Sequence, residues 1–467
     1  MAQAIKWMGS SKNSILVLSI FFFSFHFIAA LFLANERTFL DATYYLFHLI
    51  QNKGFVIEHQ RFVLVLSQLL PLVGLLLGFK LKTIIILYSI NQVLFPLVLW
   101  VILFFVIKDY YSSLAMLLMQ VCGVYFLFYC PMYEIWFGCY LLIFWNSLLI
   151  NHWQLNRLKA ILFYVLLITI LFAHPLLFIG VLYVLILHYL NGHRFKITQL
   201  FLILLCLAGW FIIKKVLLTD YEGGKLSYQL NLEDNKAYLQ LFSVEYLLQL
   251  IKFLLINYGE LFVLHLITAI FLLRRKAYLK LIVCIGFLSG FILLINISHA
   301  NAIIHTNYFE RMYLLLVPLT LMPFFCYVMP SMSLGPTRWV LLFTLIVLSY
   351  RGVNVISHHS WYSDRISKID ELLKKAQSLG ISKVALKEDA ENFDLFEWSL
   401  PMESILFSST LNKKSVTISN ANEIADLIQS RGIGKDEFRL RFDIIMKDKE
   451  LNPDYFLLSS GHYKSLP

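Results

Sequence analysis

Apolar runs of roughly twenty residues recur from residue 14 to about residue 350, separated by short polar segments. A bilayer core about 30 Å thick takes about 20 helical residues to cross, so each run is long enough to span. The runs are continuous in Leu, Ile and Phe, without the two-residue alternation of barrel strands. Lipid leaves only helices and closed barrels as spanning structures. The pattern therefore predicts an all-α polytopic membrane protein. The first run, Ser14–Ala34, exceeds a typical signal-peptide core, and Asn35-Glu36-Arg37 offers no clear cleavage site. It reads as a retained first span.

After residue 350 the pattern changes. "DRISKIDELLKKAQSLGISKVALKED" predicts an amphipathic helix, a stop at Gly380 and a short strand. "NKKSVTIS" predicts another strand, and "ANEIADLIQSRG" another helix closed by Gly432. The expected organisation is a transmembrane domain over 1–350 and a small soluble α/β domain over 351–467.

Composition agrees: 59% of the 467 residues are hydrophobic. The net charge of +10 adds an orientation. The tail carries 16 Lys+Arg against 17 Asp+Glu, and the remainder 23 against 12, so the positive excess belongs to loops between spans. That fits membrane topology and anionic headgroups, and it argues against nucleic acid as a partner. Placing the clusters at Lys6/Lys12, Lys108, Arg157/Lys159, Arg194/Lys196, Arg274–Lys280 and Arg338 in the cytoplasm gives about 11 transmembrane helices. They fall at 14–34, 83–107, 113–130, 135–152, 159–173, 175–190, 198–216, 259–273, 280–297, 312–329 and 338–350. The N-terminus is then cytoplasmic and the tail periplasmic, in a bacterial cytoplasmic (inner) membrane. The external loops are 35–82, 217–258 and 298–311. Phe62–Phe79 is apolar but would invert every later loop if it spanned. It is expected to be interfacial or re-entrant, broken near Pro71 and Gly74. An in-plane amphipathic helix is expected near 244–257.

All six cysteines lie in or at the ends of apolar runs, which suits small packing residues and gives no disulfide or metal pattern. Walker, GxGxxG, GxSxG and HExxH motifs are absent from the sequence. No cofactor is assigned.

Ionisable residues at the membrane edge are costly, and in this topology they gather outside: Asp41, Glu134, His174, Glu310 and Arg311. Asp41 shares a helical face with Tyr44, Tyr45 and His48. A carboxylate there could take a proton from a hydroxyl, with the rings stacking on a sugar. An interfacial aromatic belt with an acidic helix start accounts for the same spacing. Glu134, in a Pro-broken turn, is placed to orient an acceptor or to serve as an ordinary loop carboxylate. His174-Pro175 splits an apolar stretch and marks an outer turn. Arg311 opens a late span, where it suits a phosphate oxygen; a salt bridge to Glu310 or snorkelling to headgroups is the competing reading. Tyr308 lines the same loop, as do His299 and His305, which show no metal spacing.

This layout resembles the GT-C superfamily of integral-membrane glycosyltransferases, nearest the branch of protein O-mannosyltransferases and lipid A aminoarabinose transferases. The resemblance rests on "FLDATYYLFHLIQNKGF" after the first span, the segment Phe62–Phe79, "FAHP" mid-chain and "NYFERMYLLLVPL" at a late span. It covers about residues 1–350. It implies transfer of a sugar from a polyprenyl-phosphate carrier to a lipid, glycan or protein acceptor at the external face. Asp41 matches the catalytic aspartate, Glu134 an acidic residue of the second external loop, and Arg311 a holder of the carrier phosphate. The adjacent acidic pair usual in that family is missing here, since Glu36 and Glu58 flank Asp41 at a distance. Use of a divalent cation is therefore left open. The rival functions are a transporter or flippase of a lipid-linked or glycan substrate, a glycan polymerase or ligase, and a catalytically dead relative. Ionisable residues buried mid-span would mark a transporter, and the span centres are almost free of them.

Overall fold

The computed structural model describes residues 2–151, 157–193, 195–217, 219, 241–298, 307–332, 334–388, 393–412 and 414–466. His299, His305, Arg194 and most of the loop 217–243 lie outside this set. Among the described residues seven helical segments are long and apolar enough to cross a membrane. Five further apolar helices are shorter: Leu64–Leu76, Tyr110–Met119, Glu134–Ile150, Lys159–Ala173 and Leu177–Leu190. The chain is a helical multi-pass membrane protein with few strands.

The elements that position the site run in chain order. Helix α1, Ala2–Phe32, leads through a turn into α2, Asp41–Asn52. Then come α3, Leu64–Leu76, and α4, Leu81–Val101, continued by a π-helical turn to Ile107. Next are α5, Tyr110–Met119, α6, Glu134–Ile150, α7, Arg157–Ala173, α8, Leu177–Leu190, and α9, Ile197–Val216. Helices α10, Val244–Arg274, and α11, Tyr278–Ser298, precede the buried segment Phe309–Ser331. That segment is made of α12, Asn307–Tyr313, α13, Leu316–Leu321, and a π-helical stretch Met322–Val328. The last long helix, α14, is Leu334–Ser357.

Four expectations change. First, Pro71 does not break α3. Proline leaves nearby carbonyls without their helical donors; here Asn91 Nδ2 donates to the Leu66 carbonyl (2.8 Å) and Gln92 Nε2 to the Ser67 carbonyl (3.1 Å). Both donors come from α4, so α3 and α4 form a hairpin. The helix stops at Leu76, and Gly78 takes φ +71° in the turn. Second, the predicted span 113–130 is α-helical only to Met119, with one 3-10 turn at Phe126–Phe128. Residues 120–133 follow an irregular buried path, which is tolerated at membrane depth only inside protein. Gly123 turns there with φ +69°, and a Cβ would meet Tyr258 at 2.4 Å. Third, the in-plane segment near 244–257 is the first part of α10, which at 31 residues spans about 46 Å. Fourth, α14 continues beyond residue 350. Arg351, fully buried, holds Glu260 of α10 (2.6 and 3.0 Å) and the Asn257 carbonyl (2.8 Å). The His-Pro break stands as expected: α7 ends at Ala173 and α8 starts at Leu177.

The tail carries the two helices and the strands expected at 383–386 and 414–420, and adds a helix and three strands that the sequence reading did not name. Helix α15, His359–Ser378, is closed by Gly380 at φ +68°. Strand β1, Lys383–Leu386, precedes α16, Leu400–Asn412, then β2, Lys414–Ser415, and β3, Thr417–Asn420. Helix α17, Ala421–Arg431, is capped by the Asn420 side chain and ended by Gly432 in the left-handed region. Strands β4, Glu437–Arg441, and β5, Ile444–Lys447, form a hairpin, and β6 is Leu457–Leu458. Strands β1 and β3 pair in parallel, as do β2 and β6, while β4 and β5 are antiparallel. Lys383 is buried inside, donating to the Lys435 and Glu437 carbonyls and to Asp448, each at 2.8 Å.

Candidate functional site

The site begins at the turn after α1. Leu40 takes φ +52°, a region that costs a residue with a Cβ, immediately before Asp41 opens α2. Thr43 fixes the turn by donating to the Thr38 carbonyl (2.7 Å). Asp41 is thus held at a helix N-terminus, where a carboxylate is favoured.

Its partner comes from the far end of the sequence. Arg311 Nη2 lies 2.6 Å from Asp41 Oδ2, and both side chains keep about a quarter of their surface open (21% and 27%). The guanidinium sits 3.7 Å over the Tyr133 ring. Its Nε is buried with no hydrogen-bond partner among the described residues. Beside this pair, Glu134 opens α6 and is bound by Arg61 from the loop before α3. Glu134 also lies within electrostatic reach of His174 and Arg311. His174 accepts the Leu176 N–H at 3.3 Å and so shapes the turn between α7 and α8. The expected residues Asp41, Glu134, His174 and Arg311 therefore meet at one end of the helix bundle.

Glu310 does something else. Its buried carboxylate accepts backbone N–H groups from Tyr125, Phe126 (2.9 Å) and Leu127 (3.2 Å). Tyr258 donates its hydroxyl to the Glu310 carbonyl (3.0 Å). Glu310 thus satisfies the irregular stretch after α5 and is fully committed there, which removes both the expected substrate contact and the competing Glu310–Arg311 bridge. Tyr308 lies in α12, with its side chain outside the described set.

The expected aromatic platform is also changed. Tyr44 and Tyr45 are buried, at 6% and 5% exposure, so neither presents an open ring face. Tyr44 donates to Glu58, and Arg441 of β4 lies 4.2 Å over its ring and 3.9 Å from Glu58. Trp398, also from the tail, lies 6.0 Å from Tyr44 and stacks on Phe442. Burial, then the Glu58 hydrogen bond, raises the Tyr44 phenol above its ordinary range. Burial, followed by the Arg441 charge, pushes His48 down to about 4. The tail is clamped further along α2. Phe47 stacks on Phe456 at 5.3 Å, Asn452 bonds the Ile50 carbonyl (2.7 Å), and Lys53 pairs with Asp454 (2.5 Å).

Sequence reasoning missed Arg61, Arg441 and Trp398, and named Glu58 only as an acid flanking Asp41. One signal was available for Arg61: it is a basic residue in a loop otherwise placed outside by charge. Arg441 and Trp398 lie about 400 and 350 residues from α2 in sequence, and no local pattern joins them to it.

Among the described residues no group of three or more His, Cys, Asp or Glu converges on a metal position. Asp41 and Glu134 are each held by an arginine, so a cation there would compete with two guanidinium groups. Chemically the site joins a partly open carboxylate to a cation able to hold an anion, beside a second carboxylate–arginine pair. No protein-family model, curated protein or solved structure matches the chain.

Proposed function

We propose that this chain is a membrane glycosyltransferase that moves a sugar from a polyprenyl-phosphate carrier to an acceptor at the external face. The observation that carries the reading is the Asp41–Arg311 pair, about a quarter open at one end of the bundle. The GT-C-like arrangement of the sequence supports it. In this reading the donor phosphate replaces Asp41 as the partner of Arg311, whose planar donors suit phosphate oxygens. The released Asp41 carboxylate accepts the acceptor hydroxyl proton as that oxygen bonds the anomeric carbon. The bond from that carbon to the phosphate oxygen breaks, and Arg311 stabilises the charge that develops there. A single displacement inverts the anomeric centre. Glu134, oriented by Arg61, and His174 border the acceptor side.

The proposed topology has eleven spans, a cytoplasmic N-terminus and a periplasmic tail in a bacterial cytoplasmic membrane. A reporter fused after residue 357 should be active only outside, and cytoplasmic activity there would overturn it. A second reading, glycan polymerisation or ligation, is favoured by three arginines near the site: Arg61, Arg311 and Arg441. Both readings are tested by supplying proteoliposomes with polyprenyl-phosphate monosaccharides labelled in the sugar. A transferase forms single-sugar products, a polymerase forms ladders, and failure to consume any carrier-linked sugar would reject both.

A further inference from the structure

The opposite end of the bundle carries a second built feature. Between α8, α10, α11 and the end of the segment Phe309–Ser331 lies a half-enclosed cavity of about 270 Å³. From Arg311 to Tyr327 on its wall is about 24 Å of helical rise, so this cavity is remote from Asp41. Arg275, Lys280, Asn191 and Tyr327 line it, with Leu272 and Pro323 among its apolar walls. Lys280 donates to Asn191 Oδ1 (2.8 Å), and Arg275 lies against the Phe271 ring at 5.3 Å. Among the described residues no carboxylate pairs with Arg275 or Lys280. The nearby Asp109 already accepts from Ser112, Ser147 and Asn151.

The same α8–α11 seam continues as an apolar groove of about 390 Å³, lined by Ile179, Ile282, Gly286, Phe287, Gly290 and Phe291 among others. A Cβ added at Gly286 or Gly290 would meet no described residue within 4 Å, so the groove is open where the glycines face it. Tyr183 donates to Cys284 between the two cavities (3.4 Å). A cationic pocket at the helix ends that runs into an apolar channel along the helices has the chemistry of a lipid with an anionic head. The phosphate takes Arg275 and Lys280, and an acyl chain follows the seam.

We propose that this seam is a binding site for an anionic phospholipid, with its phosphate held by Arg275 and Lys280 and a chain lying over Gly286 and Gly290. The experiment uses the full-length protein in neutral detergent, mixed with phosphatidylglycerol or phosphatidylcholine of matched chains and read by native mass spectrometry. Wild type should retain phosphatidylglycerol in preference. R275Q/K280Q, with an unchanged melting midpoint, should lose about tenfold or more of that binding, as expected for two cations at an anionic head. Gly286→Leu should weaken the long-chain lipid while sparing the dihexanoyl form. Equal retention of phosphatidylglycerol by R275Q/K280Q would overturn the site. So would full competition by millimolar inorganic phosphate against long and short chains alike, which would mark a soluble-phosphate pocket. A monomer–dimer shift in Gly286→Leu without any change in lipid retention would assign the groove to a second copy instead. None of these readouts depends on sugar transfer.

Discussion

Asp41 and Arg311 stand 270 residues apart in sequence and 2.6 Å apart at their side chains. The pair ties α2 to the buried segment Phe309–Ser331 at the centre of the bundle. With each partner about three-quarters covered, the bond is screened less than a surface pair. A double-mutant cycle of D41A and R311A, read by thermal unfolding in detergent, should give a coupling of about 1–2 kcal/mol. Additive effects of the two substitutions would mean the pair does not form.

Glu310 makes a sharper stability prediction. Its carboxylate is the acceptor for three successive backbone N–H groups in a stretch whose helical structure is a single 3-10 turn, Phe126–Phe128. E310Q keeps the shape but puts an NH2 donor where an oxygen accepted a backbone N–H, and a buried donor left without a partner costs about 1–3 kcal/mol. E310Q should lower the melting midpoint, and proteolysis should open first near residues 120–133. An unchanged midpoint would contradict the role given to Glu310.

The hairpin of α3 and α4 is tested through its donors. N91L/Q92L leaves the Leu66 and Ser67 carbonyls beside Pro71 without partners. Each orphaned buried acceptor costs about 1–3 kcal/mol. Replacing Pro71 by Ala in that background should recover part of the loss, because the helix regains its own N–H at residue 71. No recovery would mean that Pro71 is not the source of the demand.

His48 sets an acid limit on the tail–α2 contact. Burial and Arg441 depress it to about 4, below the ordinary value of 6.5. Between those values the unfolded or undocked chain binds a proton that the docked state does not, so docking weakens as pH falls through this window. Limited proteolysis of the tail should speed up from pH 7 to pH 5 in wild type, and H48Q should flatten that dependence. A wild-type profile that rises instead with pH would have the sign wrong.

Much of the bundle was legible because hydropathy and charge act locally along the chain. Most long helices, the His-Pro break, the Gly380 and Gly432 stops and the tail strands at 383–386 and 414–420 follow from runs, periods and terminators. Asp41, Glu134 and Arg311 were legible as costly ions at membrane edges. What was not legible depends on distant partners. Pro71 looked like a breaker because the donors that satisfy it, Asn91 and Gln92, sit one helix away. The span at 113–130 looked helical because its apolarity hides the acceptor that lets it leave the helix, Glu310. Tyr44 and Tyr45 looked like an open platform because nothing near them in sequence announces Arg441 or Trp398.

The central claim is that Asp41 carries the chemistry. The direct measurement is sugar transfer from a polyprenyl-phosphate monosaccharide by wild type and D41N, side by side in proteoliposomes, with unfolding midpoints taken on the same preparations. Removing a general base costs about 10²–10⁴-fold in rate. The account predicts a loss of that size in D41N with donor binding retained and R311K binding the donor more weakly. Transfer at the wild-type rate by folded D41N would contradict it.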